Sequence, residues 1–166
     1  MPFNEINITD ETLSPFSMLS KDWFLITSGT PTDFNTMTAS WGGMGVMWGK
    51  NIFTSVIRPS RHTYKYLEDN DTFSISFFDE KNREDLNFCG SHSGRDCDKC
   101  AETNLTPATI DGIPTFEEAT MVFICKKIYK DSIDEENFID NNLFKFYEKD
   151  PYHIAFVGEI VKAYVK

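Results

Sequence analysis

Thr72-Phe73-Ser74-Ile75-Ser76-Phe77 is the most strictly alternating stretch of the chain. Phe73, Ile75 and Phe77 fall on one side, and Thr72, Ser74 and Ser76 on the other. A period of two predicts a strand with one face on a core and the other toward water. Upstream, residues 51–57 (NIFTSVI) are rich in β-branched side chains and halt before Pro59. Residues 35–41 (NTMTASW) read as strand and stop at Gly42-Gly43, while 22–28 (DWFLITS) form an apolar run closed by Gly29 and Pro31. Downstream, 119–130 and 153–165 read as two long strands, and Gly158 predicts a bulge or a bend at a barrel corner. Helical spacing is confined to short stretches: 60–68 with Ser60 as N-cap, 79–89 capped by Asp79 and ended by Gly90, and 140–148. The expected fold is mainly β with short helices, a closed or nearly closed β-barrel. No repeat, low-complexity tract or linker interrupts it, so residues 1–166 are expected to form a single domain.

A formal net charge of −10 over 166 residues repels phosphate backbones and anionic lipid, so neither nucleic acid nor membrane is an expected partner. An anionic ligand would have to be met by cations gathered at one place. Fifteen Phe give the chain enough apolar surface to offset the entropy of folding. The first residues, MPFNEINITDETLSPF, show neither a basic nor an apolar leader segment, and no apolar run reaches membrane-spanning length. With those features, Cys89, Cys97, Cys100 and Cys125 are expected to be reduced thiols in a cytoplasmic protein.

Three segments carry chemistry. Asn35-Thr36-Met37-Thr38-Ala39-Ser40-Trp41 offers a strand edge of small hydroxylated residues. Such an edge lets a flat ring approach the backbone; it also suits an ordinary barrel strand wetted by Ser and Thr. Following it, Gly42-Gly43-Met44-Gly45 is expected as a glycine-rich loop. Arg58-Pro59-Ser60-Arg61-His62-Thr63 sets two Arg, a His and two hydroxyls before a helix start, where free N–H groups attract phosphate. The alternative is a solvated cap with surface arginines. His92-Ser93-Gly94-Arg95-Asp96-Cys97-Asp98-Lys99 reads as a tight turn able to cradle an oxyanion, or as a polar loop. Cys97-Asp98-Lys99-Cys100 is a lone C-x-x-C; with Cys89 and His92 it makes a nominal zinc set, otherwise a redox pair or plain thiols. His153, alone at the start of an apolar strand, reads as a packed, hydrogen-bonded side chain. No nucleophile triad, paired carboxylates or Walker loop is present.

Taken in order, these segments resemble the flavin reductase-like family, which includes flavoredoxin. Asn35-x-Met37-Thr38-Ala39-Ser40-Trp41, Arg58-Pro59-x-Arg61-x-Thr63-Tyr64 and Ser93-Gly94-Arg95-Asp96-x-Asp98-Lys99 are similar to its motifs, as is the ending from His153 through Gly158-Glu159-Ile160. The resemblance runs from about residue 20 to the end. Where the family tends to carry an aromatic residue after Asp-x-Asp-Lys, this chain has Cys100. The resemblance implies an FMN-binding split β-barrel, a homodimer with one FMN per subunit near the interface. Thr38, Ala39, Ser40 and Trp41, with Met37 beside them, would line the flavin ring and ribityl chain. Arg58, Ser60, Arg61, His62 and Thr63 would surround the phosphate, and Ser93, Gly94 and Lys99 would close that end. No side chain is expected to act as catalyst, since the chemistry is the flavin's. NAD(P)H is the donor implied, with a small redox protein as the other choice, although no dinucleotide fingerprint is present. The competing expectations are an FMN-holding electron carrier without turnover, a thiol or metal sensor built on Cys89, Cys97 and Cys100, and a pyridoxamine-phosphate-oxidase-like barrel.

Overall fold

Phe73, Ile75 and Phe77 do lie in the core, on a strand with a neighbour on each side. The computed structural model describes residues 2–166. Its strands are β1 (Asn4–Ile6), β2 (Phe24–Thr30), β3 (Asp33–Ala39), β4 (Gly42–Met47), β5 (Lys50–Ile57), β6 (Thr72–Phe77), β7 (Pro107–Ile110), β8 (Ile113–Phe116), β9 (Met121–Ser132) and β10 (Ile154–Val165). The helices are a short α1 (Pro15–Ser17), α2 (His62–Asp69) and α3 (Arg83–Ser91). One antiparallel sheet runs β3-β2-β6-β9-β10-β5-β4, with β1 paired to β10; β7 and β8 form a separate hairpin.

The sheet curls because aromatic side chains from strands far apart in its order share one interior. Phe24 of β2 meets Phe53 of β5 edge-on at 5.1 Å between ring centres, and Phe53 meets Phe123 of β9 at 6.3 Å. Such pairs add to the burial that holds the barrel together. The two end strands, β3 and β4, are consecutive in the chain and joined only by Ser40-Trp41, yet no hydrogen-bonded ladder links them. The barrel is therefore split along that seam.

Several expectations need correction. The Ser74 and Ser76 side of β6 does not face water: both are fully buried beneath the β7–β8 hairpin. Ser74 Oγ donates to the Pro114 carbonyl at 2.6 Å and Ser76 pairs with Thr115 Oγ1 at 2.9 Å, so hydroxyls satisfy a second packed face. Gly42-Gly43-Met44-Gly45 is not a loop but the start of β4, in register with Ser55, Thr54, Phe53 and Ile52 of β5. Gly42 has φ +147, and a Cβ there would sit 2.0 Å from the Thr54 carbonyl oxygen, so the approach is open only to glycine. Ser60 is not the N-cap of α2; Arg61 holds that position without a side-chain cap bond. Asp79 makes no cap bond and precedes a single 3-10 turn; α3 begins at Arg83 and continues through Gly90. Residues Asn141–Phe146 form a 3-10 helix within the expected 140–148 stretch. The Gly158 expectation matches a register shift between Val157 and Gly158, where a Cβ would lie 2.6 Å from Phe73 Cζ. Among the described residues, no helix is long and apolar enough to cross a membrane.

Candidate functional site

β3 is an edge strand, and its unpaired side borders three clefts. Residues 32–36 line the largest, about 560 Å³, with His62 and Tyr66 from α2 and Gly94–Cys100 from the turn after α3. Met37–Trp41 line the second, about 220 Å³, with Val56, Arg58, Arg61 and His153. Thr38–Ser40 also border a third of about 300 Å³, closed by Trp23 and by Leu86, Asn87, Gly90 and Ser91 of α3. The start of the strand thus faces one cleft, and its end, next to the barrel seam, faces two.

Charged groups crowd this edge. Arg61 donates to the Gly90 carbonyl at 3.1 Å, between the second and third clefts, and burial lowers its pKa. Arg58 donates to the Phe146 and Pro151 carbonyls, each at 2.9 Å, and lies 5.1 Å from the Tyr147 ring centre. Arg95 donates to the Ser60 carbonyl at 3.0 Å, tying the third sequence segment to the second. The His62 pKa is lowered by burial and then by Arg95, Lys65 and Lys99, with Asp33 opposing; the field around its ring is positive. Asp33 itself accepts a hydrogen bond from Tyr66 Oη at 2.8 Å.

Other expected residues serve the scaffold behind the clefts. Thr63 is buried and its Oγ1 accepts from Asn35 Nδ2 at 2.7 Å. A Cβ on Gly94 would lie 2.1 Å from Asn35 Oδ1, so glycine is what lets the 93–97 turn sit on that asparagine. Lys99 is 5 % exposed; its ammonium donates to the carbonyls of Thr36 and Cys89, each at 2.8 Å, and burial pushes its pKa down to about 8. It caps the free edge of β3 from inside. Met37 belongs to the core, and Thr38 Oγ1 donates to the Leu86 carbonyl. Ser93 Oγ accepts from the Arg95 N–H at 3.2 Å. Met37, Thr38, Ala39, Ser40, Trp41, Arg58 and Arg61 therefore gather at the seam end; His62, Gly94 and Lys99 at the other end; Ser60, Thr63 and Ser93 brace the turns between.

Sequence reasoning gave His153 only a packing role, and the structure adds a place on the second cleft. It is buried, bonded through Nδ1 to Tyr147 Oη at 2.8 Å, and 5.2 Å from the Trp41 ring centre. Burial, with Arg58 adding, pushes its pKa down to about 4, so the ring is neutral near pH 7. Its signal was invisible in one dimension, because it reaches the site only through the pairing of β10 with β5. Val56, on β5, and Trp23, just before β2, were missed too, because only tertiary packing brings them to the second and third clefts.

The nominal Cys89, His92, Cys97, Cys100 set does not assemble. His92 stacks on Phe88 at 3.9 Å and its Nδ1 lies 3.0 Å from Ser91 Oγ, turned onto its own helix. Among the described residues, no group of three or more His, Cys, Asp or Glu is placed to hold a metal ion.

Residues 16–166 match the family model of the flavin reductase like domain. Among solved structures, an FMN-binding protein from Thermus thermophilus with bound p-hydroxybenzaldehyde is 23% identical, with a TM-score of 0.67 over 87% of this chain and 71% of that one. Flavoredoxin from Methanosarcina acetivorans is 21% identical, with a TM-score of 0.66 over 87% and 68%. An FMN-binding domain of a flavin reductases-like enzyme from Shewanella baltica OS155 is 16% identical, with a TM-score of 0.71 over 99% and 77%. No curated protein matches the chain. At these identities the structures establish the shared fold, and the family model spans nearly the whole sequence: the chain belongs to the flavin reductase-like family, built as a β-barrel split between β3 and β4.

Proposed function

We propose that the chain binds FMN along the free edge of β3 and works as an FMN-dependent oxidoreductase, taking electrons from NAD(P)H and passing them to an acceptor. The observation that carries this reading is the gathering of Arg58 and Arg61 on the second cleft and of His62 and Arg95 on the first, along one strand edge in a chain of net charge −10. Positive charge gathered against a general excess of negative charge fits a ligand bearing a phosphate. The chemistry of the donor set fits FMN in a second way. The Thr38–Trp41 stretch borders two clefts and presents small side chains and backbone to a flat ring.

When bound, FMN supplies hydride and two-electron chemistry. Arg61, at the start of α2, would hold the phosphate with Arg58 adding charge in the same cleft; His62 and Arg95 would add positive charge from the neighbouring one. Thr38, Ala39 and Ser40 would orient the ring and offer backbone N–H groups to it. Trp41, half exposed and with Phe146 edge-on to it at 5.2 Å, would lie against the ring at the seam end. Neutral His153 borders the same cleft without adding charge. A homodimer suits the exposed Val46, Met47, Trp48 and Tyr129, which a second copy would cover.

The test is an absorption spectrum of the protein mixed with FMN and passed through gel filtration. Retained flavin bands, followed by NAD(P)H oxidation, are the expected result. A protein that neither retains FMN nor quenches its fluorescence removes the reading. Retention without nicotinamide turnover assigns an electron-carrier role instead.

A further inference from the structure

The C-x-x-C stretch is not used by the flavin reading, and the four thiols differ sharply in their surroundings. Cys125 is fully buried in the aromatic core, where burial pushes its thiol far up. Cys89, on the inner face of α3, is likewise buried, and burial pushes its thiol up to about 12. Cys97 and Cys100 are both partly exposed and line the same 560 Å³ cleft.

The backbone around these two is held by turns on both sides. The Cys97 N–H donates to the Ser93 carbonyl at 3.3 Å, and its Sγ lies 3.5 Å from that oxygen. Asp98 Oδ1 accepts from the N–H of Cys100 at 2.9 Å and of Ala101 at 3.3 Å, and the Glu102 N–H donates to the Asp98 carbonyl at 3.2 Å. A carboxylate that accepts from the N–H two residues on turns the chain at that point. Cys97 closes the first of these turns and Cys100 lies within the second, so the two thiols sit on consecutive turns at the rim of one cleft. Between the two thiols, the Lys99 side chain is drawn inward to the Thr36 and Cys89 carbonyls. Burial, then Asp98 and Glu118, push the Cys100 thiol up to about 11, which suits a sulfur that acts second.

We propose that Cys97 and Cys100 form a redox-active dithiol that exchanges two electrons with small-molecule disulfides entering the cleft beside β3. The Cys97 thiolate attacks one sulfur of the disulfide; a Cys97–sulfur bond forms, the substrate's S–S bond breaks, and the first thiolate leaves and takes a proton. Cys100 gives up its proton and attacks the Cys97 sulfur of this mixed disulfide, and the second thiol is released. The protein loses two electrons and two protons, which reduce one disulfide to two thiols. Cys97 is the attacking sulfur and Cys100 the resolving one. Cys89 takes no part, being fully buried on the inner face of α3. This activity does not depend on bound flavin.

The experiment incubates the reduced full chain anaerobically with oxidised glutathione and follows intact mass and a peptide map. The expected product has lost two hydrogens and is cross-linked from Cys97 to Cys100. Cys100→Ser stops at one glutathione adduct, on Cys97, and Cys97→Ser gives neither cross-link nor adduct. An unchanged mass, a cross-link through Cys89, or adducts that accumulate on both thiols of the unmutated chain would overturn the proposal. Brief exposure with acid quench of that same unmutated chain traps the Cys97 adduct without any variant.

Discussion

At the scale of single residues, the charged groups on the β3 edge do different work. Among the described residues, Arg61 donates to one carbonyl, at Gly90, out of the five N–H donors of its guanidinium. Arg61→Ala is expected to weaken FMN binding at least tenfold, the loss of about 1.5–3 kcal/mol that a hydrogen bond from a charged group supplies, as read by fluorescence titration. His153 leads to a pH prediction. Its pKa falls from 6.5 to about 4 on folding, so the unfolded chain binds the proton first as pH drops. The stability contributed by this neutral ring is complete above pH 6.5 and is lost between 6.5 and about 4, at most about 3 kcal/mol in all. Urea unfolding midpoints across that window should flatten in His153→Gln relative to the parent chain. The residue types at the site could be read directly in one dimension; their tasks could not. Thr63 and Lys99 sit in the motifs beside Arg61, yet Thr63 spends its hydroxyl on Asn35, and Lys99 its ammonium on two carbonyls. Only the fold tells a ligand-facing donor from one that holds the scaffold.

At the scale of elements, the strands that bury regular apolar side chains were legible, while those built of glycine or short polar runs were not. β5, β6, β9 and β10 carry β-branched or aromatic periodicity and lie close to where the pattern put them. β4 reads as a loop because Gly42, Gly43 and Gly45 supply no side-chain signal, and it is a strand because β5 offers it a partner. The β7–β8 hairpin has strands of four residues, with Pro107 and Pro114 in them, and its effect is larger than its size. It turns the polar side of β6 into an interior. Ser74→Ala removes the donor to the Pro114 carbonyl, which stays buried. A loss of about 1–3 kcal/mol in unfolding free energy is expected, against near zero if the hairpin were detached in solution. Thr38 shows the same dependence, because its hydroxyl fits the turn of α3 that carries Leu86, and a Cβ on Gly90 would lie 3.3 Å from Thr38 Cβ.

At the scale of the whole molecule, closure of the sheet brings the site into being. The seam between β3 and β4 exists because β2 and β5 hold the two end strands apart while Ser40-Trp41 keeps them adjacent in sequence. Near the β4–β5 turn, Val46, Met47 and Trp48 are exposed, and Trp48 packs at 5.7 Å on Tyr129 of β9. If a second copy covers this surface, Trp48→Glu converts a dimer to a monomer in light scattering coupled to size exclusion, since an ionised carboxylate cannot be buried there unpaired. A monomeric parent chain would remove the dimer.

The sequence by itself determined the barrel class, the order of the three site segments and the location of the cationic cluster, because periodicity, turn residues and charge are local properties of the chain. Tertiary structure alone decided that β3 is a free edge, that the serines of β6 are interior, that His153 reaches the second cleft and that Cys97 and Cys100 share the first while Cys89 is sealed away. Each of these depends on which distant strand or helix covers a given face, and the covering partner lies tens of residues away.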